Sequence, residues 1–201
     1  MPTSDKYGLM TTRDAEILEY CLDVVITHKE FKCWKERAVL EIGVHTGGTA
    51  LGIKKYLEAH NLGINYWGIE NSQEGQIHKL WNGAHVIYGD SLYVADKAPF
   101  GFQLTLIDGC HCLTHVVMDF LQYAPLSHPG GIILIHDCHP ECQGAYQNHD
   151  GFSRKEIGVN VRKAVDLLGL RVDHPMVELL IEGWSLDPKD KWGGLIGFIK
   201  K

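Results

Sequence analysis

Two short segments hold side chains that could do chemistry together. Asp108-Gly109-Cys110-His111 follows one apolar run, and His136-Asp137-Cys138-His139 follows another. If the two runs are neighbouring parallel strands, the carboxylates of Asp108 and Asp137 converge at their ends. Two hard oxygen ligands suit Mg²⁺, which keeps several waters and leaves room for a substrate oxygen. His136, beside Asp137, is the third candidate metal ligand. His111 is the candidate general base, because an ordinary imidazole titrates near neutrality. The candidate catalytic set is therefore His111, Asp108 and Asp137, and the candidate metal set is Asp108, Asp137 and His136.

A second group lies upstream. Ala38–Ala50, AVLEIGVHTGGTA, reads as a short buried strand, a tight glycine turn and a helix start. Glycine lets the backbone approach a ligand closely, and the helix N-terminus offers unpaired N–H groups. The pattern is not G-x-G-x-x-G, because His45 stands two residues after Gly43. It is not a P-loop either, since Gly48 is followed by Thr49 with no lysine. What remains is E-x-G-x-x-x-G-G. Further on, Glu70 ends a second apolar run, where a carboxylate can accept bonds from the two hydroxyls of a ribose. Gly89-Asp90-Ser91 ends a third, with helix capping as the plainer role for Asp90 or Ser91.

These residues carry a resemblance. E-x-G-x-x-x-G-G at 41–48 resembles motif I of class I S-adenosylmethionine (SAM)-dependent methyltransferases, and G-D-S at 89–91 resembles their segment after strand three. LIDGCHCLTHVVMD followed by PGGIILIHD is similar to a pattern of the small methyltransferases grouped with macrolide sugar O-methyltransferases and cephalosporin-hydroxylase-like proteins. The matching positions are Asp108, Gly109, His111, Val116 or Val117, Asp119, Gly130, Gly131, His136 and Asp137. The resemblance spans roughly residues 38–137. It implies SAM as cofactor, held by Glu41, Gly43, His45, Gly47, Glu70, Asp90, Ser91 and Asp108. It also implies methyl transfer to a small-molecule acceptor, most readily a hydroxyl, with a divalent metal such as Mg²⁺ as a further candidate. Metal-using relatives carry paired acids at the end of strand five, where this chain has His136-Asp137.

Two rival readings stay open. One is a metal-dependent hydrolase or oxygenase using His111, His115, His136 and Asp137, with His111 and His115 one turn apart on a helix. The other is a non-catalytic SAM-binding protein. Asp119, two turns past His111, reads as a supporting or surface residue.

The elements that must position these groups follow from periodicity. Strands are expected at 38–42, 65–69, 84–88, 103–107, 131–135, 176–181 and 195–200. Helices are expected at 11–35, with Thr12 as N-cap, and at 49–60, 72–81, 113–123 and 159–168. Apolar strand alternates with amphipathic helix five times before the last two strands, which predicts an α/β fold. With the resemblance, the expectation is a Rossmann-like doubly wound, mostly parallel seven-stranded sheet with a C-terminal antiparallel strand. Residues 1–201 form one domain, with 1–37 as a helical extension. The polar stretch 140–158 leaves strand five and is the expected substrate loop.

Composition limits the alternatives. Of 201 residues, 45% are hydrophobic and 22% charged, as in an ordinary globular domain, and a formal charge of −6 argues against a nucleic-acid partner. MPTSDKYGLM has no basic-then-apolar signal pattern, and no apolar run approaches bilayer length. The expectation is a cytoplasmic protein with no membrane partner; a homo-oligomer stays open. The six cysteines read as free thiols, because neither C-x-C at 110–112 nor C-x3-C at 138–142 has the spacing of a zinc knuckle.

Overall fold

A computed structural model describes residues 7, 10–27, 38–63, 65–71, 82–144, 159–187 and 193–201. The expected helix at 72–81 and most of the expected substrate loop lie outside the described residues. So does the end of the first expected helix, beyond residue 27.

Among the described residues, seven strands form one sheet in the order β3-β2-β1-β4-β5-β7-β6. They are β1 (Ala38–Ile42), β2 (Asn65–Glu70), β3 (His85–Tyr88), β4 (Phe102–Ile107), β5 (Ser127–His136), β6 (Val177–Gly183) and β7 (Leu195–Lys200). The pairs β1–β2, β2–β3, β1–β4 and β4–β5 are parallel, and β7 runs antiparallel to both β5 and β6. The helices are α1 (Thr12–Thr27), α2 (Gly48–Ala59), the short α3 (Ser91–Val94), α4 (Leu113–Tyr123) and α5 (Val161–Leu167). The expected α/β architecture is observed, including the antiparallel C-terminal strand.

The strands read as continuous apolar runs because both faces of the sheet are covered. Successive side chains point to opposite faces. Thus Ile132 and Leu134 of β5 join one core with α1 and α2, while Ile133 and Ile135 join another with α4 and α5. Strand β5 starts earlier than expected. Pro129-Gly130-Gly131 does not precede the strand but sits within it, where the register to β4 shifts between Phe102 and Leu104. A Cβ on Gly131 would lie 2.8 Å from the His128 carbonyl oxygen and 2.9 Å from that of Phe102, so only glycine passes there.

The order of strands reverses beside β1, whose neighbours β2 and β4 continue the chain in opposite directions. In open α/β sheets the crevice at such a switch point, outside the strands' carboxyl ends, is where ligands bind. The glycine turn after β1, Glu70 and the Asp108 segment all end there.

Candidate active site

The crevice is built from the ends of β1, β2, β3 and β4. Gly43 donates its N–H to the Ile69 carbonyl (2.8 Å), and Asp108 donates to that of Ile42 (2.9 Å). These bonds carry the sheet's pairing one step past the strands. Gly43 has φ +88° and Gly47, the N-cap of α2, has φ +80°. His45 between them also has positive φ, at +47°, a conformation uncommon outside glycine. Glu70 Oε2 holds this turn by accepting the His45 N–H at 2.6 Å. Asp90 caps α3 by accepting the Leu92 N–H at 3.0 Å. The crevice has a volume of about 440 Å³, and Glu41, Gly43, His45, Glu70, Asp90, Ser91 and Asp108 all line it. The structure therefore brings these candidate cofactor residues to one crevice, with Gly47 at the head of α2 beside it.

Glu41 differs from the others. It is buried within β1, and the Tyr66 hydroxyl donates to its Oε2. Burial pushes its pKa up to about 8, so it is mostly a neutral acid at pH 7.

At one end of the crevice the two expected catalytic segments meet. Asp108 Oδ1 lies 3.2 Å from His111 Nε2 and 2.8 Å from His136 Nδ1. Asp137 Oδ2 lies 2.9 Å from His111 Nδ1, and its Oδ1 is 3.5 Å from His136 Nδ1. Asp137 reaches this position because its backbone turns back at φ +58°, which re-aims its side chain just past the end of β5. Such strain in a non-glycine residue persists where the surroundings enforce it. The Cys138 and His139 amides do so by pairing with the Gly194 and Gly193 carbonyls, at 3.2 and 2.9 Å. The loop bearing His111 is held from the other side, where its carbonyl accepts the Asn160 N–H at 2.8 Å.

One member of this cluster was not foreseen from the sequence. His136 Nε2 lies 3.3 Å from Oδ2 of Asp14, a fully buried residue of α1. Asp14 also accepts the Gly194 N–H at 2.8 Å and the Thr11 N–H at 3.0 Å. The Thr11 hydroxyl in turn accepts the Asp14 N–H at 3.1 Å. This reciprocal pair is a capping box with aspartate in the third helical position. It makes Thr11 the N-cap of α1, one residue before the expected Thr12.

The electrostatics follow from these contacts. Burial alone would lower a histidine's pKa, but the carboxylates beside both rings outweigh it. His111 is raised to about 9 by its bonds to Asp108 and Asp137. His136 is raised well above its usual value by the charges of Asp108 and Asp137. Asp108 and Asp137 are held below the usual carboxylate range by the same partners, chiefly the charge of His136, despite their burial. At neutral pH the cluster is a set of carboxylates bridged by two imidazolium rings.

This arrangement bears on the metal expected at Asp108, Asp137 and His136. Asp108, His111 and His136 do offer donor atoms within 4.8 Å of one another. Two imidazoles and one carboxylate, however, suit a transition ion more than Mg²⁺, which prefers oxygen. In the expected set of Asp108, Asp137 and His136, both ring nitrogens of His136 face carboxylates, so a cation there would take the place of one of these contacts. The structure also separates His111 from His115. His115 turns instead to Cys112, with Nδ1 3.1 Å from its Sγ, and to Asp90, with Nε2 3.5 Å from its Oδ1. Asp119, expected as supporting or surface, is fully buried.

The comparisons with known proteins agree with this geometry. Residues 40–138 match the family model described as a methyltransferase domain. The match covers 99 of the 201 residues, and this stretch is similar to a methyltransferase domain. No curated protein sequence matches it. The domain is similar to the O-methyltransferase from Bacillus cereus, solved with S-adenosylhomocysteine (SAH), at 18% identity and a TM-score of 0.65, covering 96% of this chain and 83% of that one. It is similar to TomG from Streptomyces achromogenes, an O-methyltransferase of tomaymycin synthesis solved with SAM, at 14% identity and a TM-score of 0.65, covering 96% and 82%. It also matches the mycinamycin methyltransferase MycE, solved with Mg, SAH and mycinamycin VI, at 16% identity and a TM-score of 0.54, covering 83% of this chain and 45% of that one. At these identities the likeness shows a shared methyltransferase fold. No described helix of this domain is long and apolar enough to cross a membrane.

Proposed function

We propose that this methyltransferase uses SAM to methylate a hydroxyl oxygen of a small-molecule acceptor. The observation that carries the reading is the junction of two features. A crevice framed by the Gly43–Gly47 turn, Glu70 and Asp90 runs directly into the Asp108–His111–Asp137 cluster, so a nucleoside-bearing cofactor and a base share one space.

SAM supplies an electrophilic methyl group on a sulfonium sulfur. Gly43 and Gly47 would let the backbone close on it, as no side chain could at φ near +80° beside the β4 end. Glu70 would take its ribose hydroxyls, and Asp90 and Ser91 would meet its adenine. Positioning supplies most of the acceleration in such a displacement.

His111 acts as the base. Asp137 holds Nδ1 at 2.9 Å, which fixes the ring and leaves Nε2 as the working nitrogen. The Nε2 contact to Asp108 is longer, at 3.2 Å, and an acceptor hydroxyl can replace it. As the oxygen bonds to the methyl carbon, its proton passes to His111 Nε2. This needs a neutral ring, so the rate rises with pH toward about 9, the pKa of His111 in this setting. His136 Nδ1, 2.8 Å from Asp108 Oδ1 and 3.5 Å from Asp137 Oδ1, places a positive charge beside both carboxylates. On this reading turnover does not require Mg²⁺; a divalent cation, were one used, would be held by Asp108 and Asp137 and would polarise the acceptor hydroxyl.

The test is formation of SAH from SAM with a panel of phenols, sugars and other small hydroxyl compounds. A competent acceptor is expected to give turnover that survives chelation. His111→Ala should lower kcat by roughly 10²–10⁴ while SAH affinity is kept. SAH binding without turnover on any acceptor would favour the non-catalytic reading. Turnover that chelation abolishes and Mg²⁺ restores would refute the role given to His136.

A further inference from the structure

The same turn that presents His111 holds a second cluster that the reaction does not use. Cys110 and Cys112 flank His111, and their Sγ atoms lie 3.0 Å apart. The C-x-C spacing, set aside in the sequence as unlike a zinc knuckle, works here because residues i and i+2 of an extended segment share a face. His111 points the other way, to Asp108 and Asp137. His115, in the first turn of α4, adds Nδ1 at 3.1 Å from Cys112 Sγ. The three donor atoms fall within 4.8 Å of one another.

We propose that Cys110, Cys112 and His115 bind one thiophilic divalent cation, zinc by preference, separate from the Asp108–His136 cluster. Two thiolates and an imidazole are soft and borderline ligands that select zinc over Mg²⁺. A tetrahedral zinc with Zn–S bonds of about 2.3 Å places its sulfurs about 3.8 Å apart. The thiols must therefore separate by about 0.8 Å, within reach of a small side-chain rotation.

Two further observations point to a cation. First, His115 Nε2 faces Asp90 Oδ1 at 3.5 Å while Nδ1 faces the sulfurs. A metal-binding histidine characteristically gives its other N–H to a carboxylate in this way. Second, Asp119, four residues after His115 on α4, is fully buried with the Ser91 side chain beside it, and neither of its carboxylate oxygens makes a hydrogen bond of good geometry. Its field acts on both Cys110 and His115. A buried carboxylate beside a set of cation ligands is compensated once the cation is present. Binding releases the thiol protons to solvent. Because Cys110 and His115 also line the crevice, the fourth ligand enters from that side.

The consequence is mechanical. A cation tied to the residues on both sides of His111 and to α4 would fix the loop that carries the base. The inference stands on this cluster alone and does not depend on the acceptor or on methyl transfer.

The experiment is anaerobic titration of the full chain with Co²⁺, then displacement by Zn²⁺. The expected result is one Co²⁺ per chain, with the near-ultraviolet thiolate-to-cobalt band and the intense visible bands of tetrahedral cobalt. Zinc should bleach them and protect two thiols from a thiol reagent. Cys112→Ser should lose the thiolate band, and Asp137→Asn, in the neighbouring cluster, should keep it. Thiol protection is read on the wild-type protein, so it does not depend on the variant folding. The absence of the band would overturn the proposal. So would its persistence in Cys112→Ser, or oxidation of the two thiols to a disulfide with no cation bound by the reduced form.

Discussion

Replacing Gly43 with alanine would put a Cβ 2.3 Å from the Asp108 carbonyl oxygen and 2.6 Å from Gly109 Cα. Both obstacles are backbone, so neither can swing aside. The residue also sits at φ +88°, where an L side chain is strained. The strain alone costs about 1–2 kcal/mol. Forcing two backbone segments apart adds about 1–3 kcal/mol, as in overpacked cores. The sum is about 2–5 kcal/mol, which for a chain of this size corresponds to a fall in Tm of roughly 4–20 °C. Gly83 separates the two contributions. It has φ +92° but nothing within 4 Å of an added Cβ, so Gly83→Ala should show the strain alone. Gly63, with open space and no positive φ, should tolerate alanine within about 0.5 kcal/mol. Thermal unfolding of the three variants, with SAH titration of each, is the assay. Gly43→Ala should be the least stable and should lose cofactor binding, because the same displacement pulls Asp108 from its histidines. If Gly43→Ala proved no less stable than Gly83→Ala, the close approach of the β1 and β4 turns would be wrong.

Further outcomes follow from the buried groups. Glu41 binds a proton in the folded state up to about pH 8 but only up to about 4.5 when unfolded, so it weakens the fold by about 1.4 kcal/mol per pH unit across that window. Glu41→Gln, which mimics the neutral acid, should flatten the decline of unfolding free energy between those pH values in urea titrations; an unchanged slope would mean Glu41 titrates normally. His111 also has its folded pKa raised, to about 9 from 6.5, but here the charged form is the one the fold favours. Its contribution is fully present below 6.5 and is lost as pH rises to 9, and Asp137→Asn should shrink that loss. The same substitution should move the pH–rate profile to lower pH while lowering its maximum, because the ring loses its Nδ1 partner. Thr11→Ala should cost about 1 kcal/mol through loss of the α1 cap; an effect far below this would argue that Asp14 is held without Thr11.

Much of the sheet was legible because its strands are buried on both faces and its helices are amphipathic. The crevice was legible through glycine and acid at strand ends, where local pattern and position coincide. What escaped the sequence depended on distance along the chain. Asp14 is 122 residues from His136, and only the fold joins them. The local signal was the Thr11-x-x-Asp14 spacing of a capping box, which marks the helix start but not what the carboxylate faces. The protonation of His111 was equally hidden. Its ordinary pKa suggests a base near neutrality, whereas two carboxylates, one from each strand end, hold the proton more tightly. The early start of β5 was masked by Pro129 and Gly130, residues that usually break strands but are accommodated here at a register shift. The Cys110–Cys112–His115 cluster did have a signal, since thiols two apart in an extended segment lie on one side. Knuckle spacing, together with taking alternate residues of an extended segment to point apart, hides it.

The central claim is that the β1–β4 crevice holds the adenosyl cofactor beside the His111 cluster. Calorimetric titration of the chelated protein with SAH tests it most directly, run on the wild type and on Glu70→Ala. One-to-one binding that needs no Mg²⁺ and is weakened at least about tenfold by Glu70→Ala, a loss of about 1.4 kcal/mol, is the predicted result. No SAH binding by the wild type, with or without Mg²⁺, would contradict it.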